Sequence, residues 1–267
     1  MHGETIGEPG ITYDRDLLLL GAKRSSVLDF WEVRQYGIDS YNDPNYVSIY
    51  GMPPADWFAR GIRLLGRTAV ECTRDALGNA IGQDVSIVAG SAPASGGSLI
   101  VDPFAGSCNT LFWMLRHLPG VRGLGFELDT AVFHLTVRNL AALAVPIDIL
   151  NTDYLTGLAN VTLPNDHLLI VFVAPPWGDA LGKAAGLDLR RTTPPIIEIV
   201  DLLIHSFGGN SQLCAVQVYE TVNPASLDEL KSRFDWSAMR IYSLNESGGN
   251  HGVLLGTRGW VPEVALT

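Results

Sequence analysis

Three short stretches of this chain end an apolar run in an acid that can grip a ligand. The first, LIVDPFAGSCNT (Leu99 to Thr110), stops at Asp102, turns through Pro103, Phe104, Ala105 and Gly106, and reaches Asn109 and Thr110, either of which can open a helix. An aspartate at a strand end can orient the turn and accept a hydrogen bond from a ligand amine. Gly106 has no Cβ to keep the backbone away from that ligand. The second, GFELD (Gly125 to Asp129), ends at Glu127 and Leu128, where a carboxylate can accept both hydroxyls of a ribose; Asp129 can cap the next helix. The third is NTDYL, in which Asp153 precedes Tyr154 and can accept from an adenine amine or serve as an ordinary turn residue.

What the three stretches lack narrows the ligand further. There is no G-x-G-x-x-G, which disfavours a dinucleotide, and no G-K-[ST], which excludes phosphate cradling by a P-loop. A cationic, adenosine-bearing ligand without phosphates remains, and S-adenosylmethionine meets that description. A fourth stretch, LLIVFVAPPWGD (Leu168 to Asp179), supplies the other half of a reaction. Pro175 and Pro176 have no N–H to engage the preceding carbonyl, so that of Ala174 is left to face a substrate. Trp177 offers a flat surface for stacking a planar or cationic group.

The elements that must position these residues follow from the pattern of apolar runs. From Leu99 onward strands and helices alternate: LIVDP, a helix from Asn109 to Leu118, GLGFEL, a helix from Thr130 to Leu143, IDILN, the strand Leu168 to Ala174, a helix from Pro195 to Phe207, and the strand Leu213 to Glu220. Such alternation implies a mostly parallel sheet covered on both faces. A helix from Ser226 to Phe234 and the strands MRIYSL and GVLLGTR finish a seven-stranded sheet as an antiparallel hairpin, with NESGGNHG as its turn.

Ahead of this core lies an aromatic-rich extension. DFWEVRQYGIDSYNDPNYVSIYG alternates aromatic and polar residues with turn formers and predicts irregular structure or short strands. One or two helices are expected between Pro53 and Leu77, and SIVAGSAPASGGS reads as a small-residue loop. The chain therefore divides into an extension over 1–80 and an α/β core over 81–267.

Composition sets further bounds. The chain has 267 residues, is 47% hydrophobic and carries a formal net charge of −10. It can bury a large core, and the charge argues against a sequence-independent grip on nucleic acid. The apolar runs fall short of the roughly 20 residues of a membrane-spanning helix. The polar start MHGETIGEPG is no secretory signal. Three cysteines in separate segments make neither a metal-ligand cluster nor an even disulfide set, so a reducing cytoplasm is the expectation, with no metal.

The succession DPFAG, GFELD, NTDYL and APPWG resembles class I S-adenosylmethionine-dependent methyltransferases, and in particular the RNA cap guanine-amine methyltransferase (trimethylguanosine synthase) family, which pairs an aspartate-led Gly loop ending in Asn-Thr with an SPPWGGP-type motif. FWEVRQYGIDSYN and GLDLRRTTPPIIEIVDLL are similar to segments of that family, so the resemblance spans residues 28–258, with only the motif blocks specific. It implies a Rossmann-like core in which Asp102, Phe104, Gly106, Glu127 and Asp153 hold the cofactor. Their neighbours Pro103, Ala105, Asn109, Thr110, Leu128 and Tyr154, and the Ala174 carbonyl, complete that set. Ala174, Pro175, Pro176 and Trp177 then hold the acceptor.

Three departures shape the expected acceptor. The glycine turn is one residue shorter and carries Cys108. Ala174 stands where amine methyltransferases carry Asp, Asn or Ser, which leaves only a backbone carbonyl to receive the target nitrogen's hydrogen bond. The acidic surface is awkward for capped RNA. The expectation is therefore a small-molecule amine, with a nucleic-acid amine and a cofactor-binding module without catalysis as the alternatives. In-line transfer needs orientation more than a strong base. Asp179 or Glu220 is a candidate to take the displaced proton, and Trp31, Tyr36 and Tyr41 of the extension are expected to close over the acceptor as a lid.

Overall fold

The expected alternation forms. In the computed structural model, which describes residues 11–182, 186–244 and 250–266, a short π-helical turn (Asp16–Leu20) leads to α1 (Phe30–Tyr41), α2 (Pro54–Ala59), α3 (Gly66–Glu71) and α4 (Asp75–Ala89). The core follows as β1 (Ser98–Asp102), α5 (Asn109–His117), β2 (Arg122–Phe126), α6 (Thr130–Leu143), β3 (Ile147–Leu150), α7 (Tyr154–Ala159) and β4 (Leu168–Val173). A two-residue ladder, β5 (Leu181–Gly182) with β6 (Gly186–Leu187), precedes α8 (Ile196–Ser206), β7 (Ser211–Tyr219), α9 (Pro224–Lys231), β8 (Trp236–Tyr242) and β9 (His251–Arg258).

The main sheet has seven strands in the order β3-β2-β1-β4-β7-β9-β8. The first five are parallel, whereas β9 runs antiparallel to both β7 and β8. Most of the expected turn between β8 and β9, residues 245–249, lies outside the described residues. β4 shows why the sheet is covered on both sides. All six of its residues are buried; Leu168, Ile170 and Phe172 join one core cluster, and Leu169, Val171 and Val173 the other. A strand with two apolar faces is stable only with helices on each.

The order of strands fixes where a ligand can sit. β1 has β2 on one side and β4 on the other, so the chain leaves β1 in one direction and returns to β4 in the other. The carboxyl ends of β1 and β4 are thus the switch point of the sheet, the place where open α/β folds hold a ligand in a crevice.

Three expectations about the extension are corrected. Residues 30–41 are helical, not irregular: Asp29 accepts from the Glu32 N–H at 2.8 Å while the Glu32 carboxylate accepts from the Asp29 N–H at 2.9 Å. Such a capping box outweighs the aromatic alternation that suggested strands. The boundary at residue 80 falls inside α4, and Ser86–Ala89 finish that helix instead of starting a loop. Finally, the middle of the extension packs against the sheet instead of standing off it as a separate lid. Tyr36, Val47, Ile49 and Trp57 are fully buried and share one cluster with Ile100 and Ile170 of the sheet, so the segment packs as the cover of one sheet face.

Candidate functional site

The turn after β1 is built by backbone donors converging on two acids. Asp102 is 2% exposed and accepts from the Phe104 N–H at 3.0 Å. Ala105 donates to the Phe126 carbonyl at 2.9 Å, which ties the turn to the end of β2. Glu127 accepts from the Gly106 N–H at 3.0 Å with one oxygen and from the Asp129 N–H at 2.7 Å with the other. Gly106, at φ +50°, and Cys108, at φ +58°, take the left-handed turns that bend the loop back to α5. Gly125 is required opposite them, since a Cβ there would lie 2.8 Å from the Ala105 Cβ.

The electrostatics of the pair are unusual for two carboxylates. Burial, reinforced by the nearby Glu127 charge, pushes Asp102 up to about 7. Burial raises Glu127 as well, against the backbone donors and the Arg67 charge that favour its ionised form. Arg67 is itself committed, pairing with Asp129 at 2.9 Å and Glu71 at 3.2 Å. No cation pairs directly with Asp102 or Glu127 among the described residues. The crevice thus holds a negative potential that a cationic ligand would satisfy.

The other expected cofactor residues fall around this pair. The Phe104 and Tyr154 rings lie 5.4 Å apart and form an apolar wall, Pro103 and Ala105 are buried beneath the turn, and Leu128 is 72% exposed at the rim. Asp153 sits at the end of β3, where it caps α7 through the Thr156 N–H at 2.9 Å and the Thr156 hydroxyl at 2.7 Å. Those donors hold its carboxyl below the usual range.

Asn109 and Thr110 are buried in the first turn of α5, and the Asn109 amide is not free for a ligand. Its oxygen accepts from the Tyr50 N–H at 2.7 Å, and its nitrogen donates to the Thr73 carbonyl at 2.8 Å and to Asp75 at 3.1 Å. The Tyr50 hydroxyl also donates to the Ser107 carbonyl. Asn109 is the fastener between extension and loop. Asn109→Ala is therefore expected to cost about 2–4 kcal/mol of stability by orphaning these groups, seen as a lower urea midpoint at unchanged slope. An unchanged midpoint would show that the fastener contributes nothing.

The Pro-Pro-Trp corner follows β4 on the other lip of the crevice. Ala174 is partly buried, Pro175 buried, Pro176 exposed and Trp177 partly buried. Trp177 stacks on His251 at 5.5 Å and 15° and meets Tyr219 edge-on at 6.3 Å. Of the two proton-acceptor candidates, Asp179 is exposed, and Glu220, next to Tyr219, accepts with one carboxylate oxygen from Asn250 through the backbone N–H at 3.1 Å and the side chain at 2.7 Å. Glu220 thereby ties the end of β7 to the residue before β9.

Of the lid candidates, Tyr36 is a core residue and is withdrawn. Trp31 packs on its own helix against Phe30 and Arg34. Tyr41 stacks on Tyr46 at 3.5 Å and 9°.

Sequence reading missed two residues. Arg74 donates to the Cys72 carbonyl at 3.0 Å and the Ala69 carbonyl at 2.8 Å, lies over the Tyr46 ring at 4.5 Å, and keeps a buried Nε without a partner. No carboxylate pairs with it among the described residues. Nothing in its spacing marked it, because its place depends on Asn109 holding the neighbouring Thr73 carbonyl. His251 was read only as part of a turn.

No family model matches the sequence, and no curated protein matches it. Among solved structures, the METTL16 MTase domain in one crystal form is similar over 93% of this chain and 93% of that chain, at 13% identity and a TM-score of 0.53. The N-terminal domain of human METTL16 in complex with SAH is similar over 66% of each chain, at 12% identity and a TM-score of 0.46. A methyltransferase from Pyrococcus furiosus is similar over 68% of this chain and 83% of that one, at 16% identity and a TM-score of 0.44.

Proposed function

We propose, for a chain that has a Rossmann-like methyltransferase fold, that it is an enzyme transferring the methyl group of S-adenosylmethionine to an amine nitrogen of a small molecule. The observation that carries this reading is the buried acid pair, Asp102 and Glu127, without a counter-cation at the switch point of the sheet. A sulfonium- and ammonium-bearing ligand supplies the missing positive charge, and a phosphate-bearing one would be repelled. Asp102 takes the amino group, Glu127 the ribose hydroxyls, and Phe104 and Tyr154 flank the adenine. Asp153 reaches the adenine amine with lone pairs its cap leaves unused. Arg74, next to the loop and lacking a carboxylate, takes the cofactor's carboxylate.

The acceptor lies on Trp177, with the Ala174 carbonyl as the hydrogen-bond acceptor for its amine. Orientation in line with the methyl–sulfur bond then supplies most of the rate. The likeness of DPFAG and APPWG to cap guanine-amine methyltransferases makes a nucleic-acid amine the second reading, and the net charge of −10 weighs for the small molecule. Incubation with methyl-labelled S-adenosylmethionine and either total RNA or a small-molecule extract separates the two. Label in the small-molecule fraction supports the first, label in RNA the second, and cofactor binding with neither leaves a module without catalysis.

The acid pair also sets a pH dependence. Asp102 titrates at about 7 in the folded chain against about 3.9 unfolded, so the folded state holds an extra proton between those values and loses stability as pH rises through them. A cationic ligand favours the carboxylate and expels that proton. Affinity for S-adenosylmethionine should therefore rise from pH 5 to about 7 and level off. Calorimetry at pH 6 in two buffers of different ionisation enthalpy should give different heats, and equal heats would count against an Asp102 that ionises on binding.

A further inference from the structure

We infer that His251 receives the proton an amine acceptor gives up after methylation, from a fixed position at the reacting centre. The inference rests on the methyltransferase reading above.

The ring stands at the carboxyl edge of the sheet, against the Trp177 corner that follows β4. His251 opens β9, opposite Tyr219 in β7 and Tyr242 in β8. Its ring stacks on Trp177 and meets Tyr219 edge-on at 5.7 Å and 89°. Arg74, beside the β1 loop, is close enough for its charge to act on the imidazole.

The ring is also chemically odd for a packing residue. Its Nδ1 is buried without a hydrogen-bond partner, a cost that a phenylalanine filling the same slot would not carry. No described residue bonds the other nitrogen, Nε2, which leaves it available. Burial and Arg74 hold the imidazole below its ordinary value against the opposing Glu220 charge, so at neutral pH it is a proton acceptor.

In the step, the acceptor nitrogen's lone pair forms the N–CH3 bond while the S–CH3 bond breaks and its electrons return to sulfur. The resulting N–H⁺ then passes its proton to His251 Nε2. The imidazolium returns the proton to water after release. Asp179 and Glu220 are not needed.

The test is a histidine titration by NMR of the full chain bound to S-adenosylhomocysteine or to S-adenosylmethionine, with His251→Phe to assign the signal. These ligands differ by one methyl and one positive charge. His251 should titrate about one pH unit lower in the sulfonium complex, the expected size for a like charge close by. Equal titration in the two complexes would overturn the inference while leaving the cofactor reading intact. Failure of either ligand to change any spectrum would instead sink the cofactor reading itself. In the labelled-extract assay His251→Phe, which keeps the stacked ring, should lose about tenfold or more in kcat with an unchanged cofactor dissociation constant. An unchanged kcat would also overturn the inference.

Discussion

Asp102→Asn is expected to abolish S-adenosylmethionine binding while making the protein more stable. The substitution keeps the oxygen that accepts from Phe104 and removes a buried charge that no cation balances. Because burial holds the carboxyl up to about 7, ionising it at pH 8 opposes folding by about 3–4 kcal/mol. Asparagine carries no such cost. A higher melting temperature at pH 8 that shrinks on acidification and vanishes only below about pH 4, where the folded and the unfolded carboxyl are both protonated, is the signature. Binding moves the other way: without the charge, affinity for the cationic cofactor should fall a hundredfold or more, about 3 kcal/mol. The stabilisation that saturating S-adenosylmethionine gives by mass action would disappear with it. A variant that binds normally, or one destabilised at both pH values, would make Asp102 a structural acid.

Trp177→Ala is expected to leave the cofactor dissociation constant within about twofold of wild type and to cut turnover a hundredfold or more. The ring follows β4 and packs on His251 and Tyr219, not on Asp102 or Glu127. Its loss removes a stacking surface worth about 1–3 kcal/mol and the orientation that holds the acceptor in line with the methyl group, where small misplacements are costly. It also uncovers His251 and Tyr219, so some loss of stability accompanies the change. Trp177→Phe separates the effects, since it refills the cluster with a smaller platform and should recover stability more fully than turnover. Loss of cofactor binding in Trp177→Ala would show that the corner supports the fold instead of the acceptor.

The parts of this arrangement that the sequence reveals are those carried by local pattern. Strand ends at Asp102, Glu127 and Asp153, and the Pro-Pro-Trp corner after the all-apolar β4, are visible because strand period, glycine and proline leave marks within a few residues. The antiparallel end of the sheet is visible for the same reason. Tyr36 and Asn109 show where local pattern fails. Both have the residue types of ligand contacts, yet Tyr36 is buried by packing against a sheet strand far away in sequence, and the Asn109 amide is taken by Tyr50 and Thr73, dozens of positions upstream. Arg74 and His251 fail in the opposite sense: each is unremarkable where it stands and becomes notable only when tertiary contacts bury one of its nitrogens without a partner. The helix over 30–41 was legible after all, in the Asp29 and Glu32 spacing, but aromatic alternation masked it.

Calorimetric titration of S-adenosylhomocysteine into the full chain and into Glu127→Ala tests the central claim most directly. One saturable site per chain, lost in the variant, is the predicted result. No binding to the wild-type chain, or binding that survives in Glu127→Ala undiminished, would contradict it.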